Sequence, residues 1–173
     1  MKTLQFIFKY IHYFLISKNE HTIQGPFIFE FVTKVIYGEN EKCKDIEVLR
    51  KKLCKSEETI QITDFGAGSN INNSTKRKVK DITKNSAKNS KFGELLYRII
   101  QFYKPKNILE LGTSLGISTC YLAKANPKGR VFTFEGCPET AKVANQHNIN
   151  VTAIASPHNI TGMIEAIKKT STN

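Results

Sequence analysis

In this chain of 173 residues, two glycines and two acids carry the chemistry that can be read from residue types and spacing. In ILELGTSLGISTCYLAKANPKGRVFTFEG, an apolar run ends in a glycine turn and gives way to a helical pattern. That order brings backbone N–H groups and the positive end of a helix up to a ligand. Gly112 and Gly116 let the chain turn sharply with no Cβ in the ligand's way. Ser114, Ser118 and Thr119 add hydroxyls at the helix entrance. Glu135 falls at the tip of the next strand, roughly twenty residues beyond the turn, where an acid binds a ribose diol. The plain alternative for Glu110 and Glu135 is a surface acid paired with a lysine.

Other patterns are weaker. GTSLG lacks the GxGxxG spacing of a dinucleotide fingerprint, and GAGSNI (Gly66 to Ile71) has its first two glycines but no periodic helix after it. GTSLG also fits the GxSxG nucleophile elbow. A hydrolase of that kind needs several strands before the elbow, and only TIQIT (Thr59 to Thr63) precedes it, although His147 and His158 follow. Cys43, Cys54, Cys120 and Cys137 stand far apart, with neither CxxC nor paired-histidine spacing. They read as free thiols of a reducing compartment, so the chain is expected in the cytoplasm with no metal site. The sequons at Asn72, Asn150 and Asn159 carry no meaning without secretion.

The elements that must hold these residues follow from periodicity. Phe92, Leu95, Leu96, Ile99 and Tyr103 predict a helix that stops at Lys104–Pro105. NILEL (Asn107 to Leu111), RVFTFE (Arg130 to Glu135) and NVTAIA (Asn150 to Ala155) predict three strands, separated by ISTCYLAKA and PETAKVANQ as helices. Ser156 and Pro157 predict the cap and first position of a last helix carrying Ile160, Met163, Ile164 and Ile167. Such alternation makes an α/β fold, a parallel sheet wrapped by helices. Right-handed crossovers give the strand order 3-2-1.

Upstream, LQFIFKYIHYFLI (Leu4 to Ile16) is too short for a bilayer span, which needs about 20 residues. Lys2, Gln5, Lys9 and His12 form a polar stripe, so the stretch reads as an amphipathic helix packing on the domain, with a membrane surface as the sharper alternative. A second helix opens at Pro26 and turns Phe27, Phe31, Val32, Val35 and Ile36 inward, with Glu30–Lys34 outside. A third covers Asp45 to Leu53, with Ile46, Leu49 and Leu53 on one face and Glu47–Lys51 outside. Residues 1–89 are read as a helical extension with a lysine-rich loop, and 90–173 as the sheet half domain.

Composition bounds the rest. With 40% hydrophobic residues the chain is an ordinary globular protein. The 26 Lys+Arg against 15 Asp+Glu give a formal charge of +11, which favours anionic partners. Arginine occurs only at Arg50, Arg77, Arg98 and Arg130, and a lysine excess argues less for base reading than a guanidinium fork would. The stretch from Lys76 to Lys91 holds seven basic residues against Asp81 alone. It is the best candidate for a mobile or partner-contacting segment, its plain alternative being a solvated loop with one helical turn.

Taken together, the stretch from about Phe92 to Gln146 resembles the start of a class I S-adenosylmethionine-dependent methyltransferase, nearest the O-methyltransferase-like branch. ILELGTSLGIS followed by FTFEG is its most specific part, and HTIQGPFIFEFVTKVI and TDFGAGS are similar to N-terminal features of bacterial members with a helical extension. The resemblance implies a Rossmann-like fold and S-adenosylmethionine as cofactor. It would place Glu110, Gly112, Thr113, Ser114 and Gly116 around the methionine part, Glu135 on the ribose hydroxyls and Gly136 beside it. It further implies methyl transfer to a small acceptor, with a hydroxyl as one option. Residues 106–173 supply about half of such a sheet at about 30 residues per βαβ unit. Beside the third strand stand Ser156, Pro157, His158 and Asn159, without the acid that the family often sets near adenine. The expectation is thus a methyltransferase whose chain ends early or is completed by a partner, a second copy or another chain, with no catalytic residue to nominate. A non-catalytic cofactor- or partner-binding remnant and a basic nucleic-acid-associated module are the two alternatives.

Overall fold

A computed structural model describes residues 2–17, 25–39, 43–63, 75–85, 87–154, 164–165 and 167–168. They fall into two compact units, Met1–Glu39 and Asn40–Asn173. The break lies ahead of the third helix and not after residue 89, because that helix and the segments following it share a core with the sheet half.

In the first unit, α1 (Lys2–Ile16) forms as the periodicity predicts. Its apolar side chains are not packed away: Phe14 and Leu15 are 69% and 75% exposed, and residues 4–17 are exposed throughout. Helix α2 (Pro26–Phe31) begins with Pro26 in its first turn, where a missing N–H costs nothing. It continues as a widened π turn over Val32–Ile36, closed by the Tyr37 N–H donating to the Val32 carbonyl at 2.9 Å. Val35 is buried, whereas Phe27 and Ile36, expected inward, are exposed. Lys34 donates to Glu30 at 2.6 Å, the surface pair expected at that spacing. Among the described residues, no helix is long and apolar enough to cross a membrane.

The second unit starts with α3 (Lys44–Leu53), which buries Ile46 and Leu53. Strands β1 (Thr59–Gln61) and β2 (Lys76–Lys78) pair antiparallel, with Ile60 opposite Arg77. Helix α4 (Val79–Asn85) follows directly and buries Val79 and Ile82. The lysine-rich stretch is therefore partly strand and helix and not a plain loop. Lys78 and Lys80 both donate to Glu57, whose carboxyl these ammonium groups hold down at about 2. GAGSNI and the rest of residues 64–74 lie outside the described residues.

Helix α5 (Ser90–Tyr103) is capped by the Asn89 side chain, which accepts from the Phe92 N–H at 3.0 Å. It ends on Lys104 in the left-handed region (φ 47°), ahead of Pro105. Its buried line runs through Gly93, Tyr97 and Ile100, while Phe92 and Tyr103, expected inside, are 49% and 53% exposed. The rotation has a steric cause. Helix α6 (Ile117–Ala125) packs so closely that a Cβ at Gly93 would overlap the ring of Tyr121.

Strands β3 (Asn107–Leu111), β4 (Arg130–Glu135) and β5 (Ala153–Ile154) form a parallel sheet in that spatial order, the predicted 3-2-1 arrangement. Leu111 pairs with Phe134, and Phe134 with Ala153. Helix α7 (Pro138–Gln146) makes the second crossover. The third strand is shorter than Asn150–Ala155, and it is prolonged by the Thr133 N–H donating to the Thr152 hydroxyl at 2.9 Å. Of the last predicted helix, Ile164, Glu165, Ile167 and Lys168 are helical, while Ser156, Pro157, His158, Ile160 and Met163 lie outside the described residues. The larger core joins Ile46 and Leu53 of α3, Ile60, Val79, Ile117 and Tyr121.

Substituting Gly93→Ala tests the close helix crossing. Better helix propensity adds up to about 1 kcal/mol, and the overlap with the Tyr121 ring costs about 1–3 kcal/mol. A net loss is expected in urea unfolding, and unchanged or higher stability would show that α5 and α6 part freely.

Candidate functional site

The site is built at the C-terminal ends of β3 and β4, where an open parallel sheet leaves a crevice for ligands. Three of five successive residues after β3 take left-handed backbone: Gly112 (φ 93°), Ser114 (φ 49°) and Gly116 (φ 79°). Each glycine is required for a different reason. A Cβ at Gly116 would meet Ile149 Cδ1 at 2.5 Å, whereas a Cβ at Gly112 would meet no atom within 4 Å, so the backbone there is open to a ligand. Ser114 adopts the conformation without being glycine, a cost of roughly 1–2 kcal/mol. Its N–H donates to Glu135 Oε2 at 2.6 Å, a charge-assisted bond that offsets the strain.

Glu135 ends β4 and is half-buried. Its other oxygen accepts the Cys137 N–H at 2.9 Å, across Gly136. The carboxylate is thus fixed by two backbone donors, and each oxygen retains a further lone pair.

Glu110 is held more tightly. Its Oε1 accepts from Ser118 at 2.6 Å, and its Oε2 from Thr119 at 2.5 Å and Thr133 at 2.6 Å. Thr133 in turn shares a 2.6 Å contact with Thr113, both threonines being buried. The hydroxyls of Ser118 and Thr119 therefore face the acid rather than the mouth of the turn. The pairing of either acid with hydroxyls or backbone differs from the lysine pairing that a surface strand would show.

Beside the turn lies a cavity of about 140 Å³, lined by Gly112 to Leu115, Ser118 and Tyr121, and by Arg50, Lys88, Gly93 and Leu96 from upstream elements. The upstream wall is what the sequence reading missed. Glu47, expected on the outer face of α3, turns inward: Tyr121 Oη donates to its Oε1 at 2.7 Å, and Arg50 Nε donates to the same oxygen at 3.0 Å. Burial, reinforced by that hydrogen bond, pushes the Tyr121 phenol well above its ordinary range. Arg50 Nη1 donates to the Lys88 carbonyl at 2.6 Å. Arg50 Nη2 is buried and has no hydrogen-bond partner among the described residues. The available signal was that Arg50 is one of four arginines in a lysine-rich chain, three residues after an acid.

Two further groups bear on the chemistry. His147, at the end of α7, has its pKa lowered by burial and by Lys52, while His158 lies outside the described residues. Burial, with Asp45 and Glu110 nearby, pushes the Cys120 thiol up to about 11. No cluster of three metal-capable side chains occurs among the described residues.

No family model matches the chain. Over 65 residues it is 46% identical to a catechol O-methyltransferase of Niastella koreensis, covering 37% of this chain and 29% of that protein. Over 55 residues it is 44% identical to the human transmembrane O-methyltransferase, covering 31% of this chain and 19% of the relative. The matched stretch thus spans less than a third of these curated relatives. Among solved structures, an O-methyltransferase from Bacillus cereus in complex with SAH aligns with 82% of this chain and 54% of its own, at a TM-score of 0.42 and 19% identity. Over these stretches the chain is similar to O-methyltransferases, the branch that ILELGTSLGIS and FTFEG resemble.

Two outcomes check this geometry. Glu110→Gln removes the charge from three hydroxyl bonds and is expected to cost about 1–3 kcal/mol in denaturant unfolding; a neutral result would mean that the hydroxyls re-pair without it. With its thiol held protonated, Cys120 should alkylate far more slowly at pH 8 in the folded protein than after unfolding. Equal rates by mass spectrometry would contradict the desolvation.

Proposed function

We propose that this chain binds S-adenosylmethionine at the β3–α6 turn and serves methyl transfer to a small acceptor, with an oxygen nucleophile favoured by the names of its relatives. The observation that carries the reading is the left-handed turn from Gly112 to Gly116, tied through the Ser114 N–H to the acid that ends β4. It supports a binding set of Glu110, Gly112, Thr113, Ser114, Gly116, Glu135 and Gly136. Within it the roles divide. Gly112 leaves its backbone open, Glu135 retains lone pairs for a diol, and Glu110 positions the first turn of α6 through Ser118 and Thr119.

The cavity fits part of such a molecule. About 140 Å³ is below the roughly 300 Å³ of a pocket enclosing a drug-sized ligand, so it suits the amino-acid end, with the nucleoside lying outward toward Glu135. When bound, the cofactor supplies a methyl group already activated by its sulfonium. What remains for the chain is to orient that group and to keep water from it, and the packed wall of Leu115, Ile117 and Tyr121 is suited to the second task. The pairing of Lys78 and Lys80 with Glu57 leaves less free charge for a nucleic-acid partner. Four free cysteines are in keeping with the cytoplasm as the compartment.

Isothermal titration with S-adenosylmethionine and S-adenosylhomocysteine tests the reading. Binding of both is expected, and Glu135→Ala should weaken it about tenfold or more, as loss of a charged hydrogen-bond acceptor does. No heat at millimolar ligand would sink the proposal, and an unchanged affinity in Glu135→Ala would reject the ribose contact.

A further inference from the structure

We infer that Arg50 is the carboxylate-recognising residue of this pocket, a deepening that rests on the cofactor reading above. Its side chain is 14% exposed, and two of its three nitrogens are already placed: Nε on Glu47 and Nη1 on the Lys88 carbonyl. The third, Nη2, is buried without a partner among the described residues, in a side chain that lines the cavity beside Gly112, Thr113 and Ser114. A buried N–H of a charged group left unpaired is costly, and folded proteins seldom tolerate it without an occupant. A ligand carboxylate answers that need, since it accepts from a guanidinium in a charge-assisted bond.

Placement selects the amino-acid end of the ligand and not the nucleoside. The cavity has room for an amino-acid-sized group, while Glu135 bears on the turn through the Ser114 N–H and lines no part of that cavity. Glu47 and the Lys88 carbonyl hold the guanidinium at two points, so it meets the ligand with little ordering left to do. Lysine would not serve equally, because one ammonium cannot bridge Glu47, the Lys88 carbonyl and a ligand in fixed directions.

The test compares S-adenosylhomocysteine with its carboxamide on the wild-type chain and on Arg50→Met. The wild type is expected to prefer the carboxylate at least tenfold, and Arg50→Met to lose that preference. A merely structural role would weaken both ligands alike and keep the preference, which would overturn the inference while leaving the cofactor reading intact. Absence of binding by the wild type to either ligand would overturn the cofactor reading itself. Should Arg50→Met fail to fold, Arg50→Lys and the wild type decide: a wild-type preference that falls severalfold in Arg50→Lys supports the inference, and equal wild-type affinities or an unaltered preference in Arg50→Lys reject it.

Discussion

The ring of Tyr121 has no solvent exposure, lies against the backbone of Gly93, and sends its hydroxyl to Glu47 at 2.7 Å. Three helices are fixed by this one side chain. The absence of a Cβ at Gly93 sets the spacing of α5 and α6, and the hydroxyl bond sets the azimuth of α3. A buried phenol needs a partner for its hydroxyl, and a half-buried carboxylate needs donors. Glu47 meets both needs at once, by accepting from Tyr121 and from Arg50. The ion pair of Asp45 with Lys124 ties the same two helices at the surface, where it contributes little by comparison.

The turn is organised by acids that are themselves constrained. Glu110 is surrounded by hydroxyls from α6 and β4, and Glu135 by backbone N–H groups from either side. Hydroxyls and amides carry no net charge, so they orient a carboxylate without neutralising it. Both acids stand at the ends of β3 and β4, in a chain whose net charge is strongly positive. The guanidinium of Arg50 lines the cavity beside the turn.

Much of this was legible in the sequence. The strands around NILEL and RVFTFE, the glycine turn and the strand order follow from local periodicity and from crossover handedness. Glu135 is nominated by distance along the chain, which is a geometric property of a βαβ unit. What periodicity could not give was the rotation of α5, because a glycine scores as a gap in an apolar stripe although its smallness created the contact. Nor could it give the inward turn of Glu47, whose surroundings come from a helix more than seventy residues away. Arg50 was hidden for the same reason: its pocket is closed by segments that are distant in sequence. In the lysine-rich stretch, composition hides the short helix, because Val79 and Ile82 are buried between basic residues.

The link from Tyr121 through Glu47 to Arg50 also decides which piece of the chain can act alone. The most specific part of the resemblance lies after Ser90, yet the guanidinium and the acid that orients it belong to α3. Excising the recognisable stretch would leave a buried phenol without its acceptor and a pocket without one of its walls. The signature is thus not a portable module, and grafting it onto another scaffold would transplant the turn without its counter-charge.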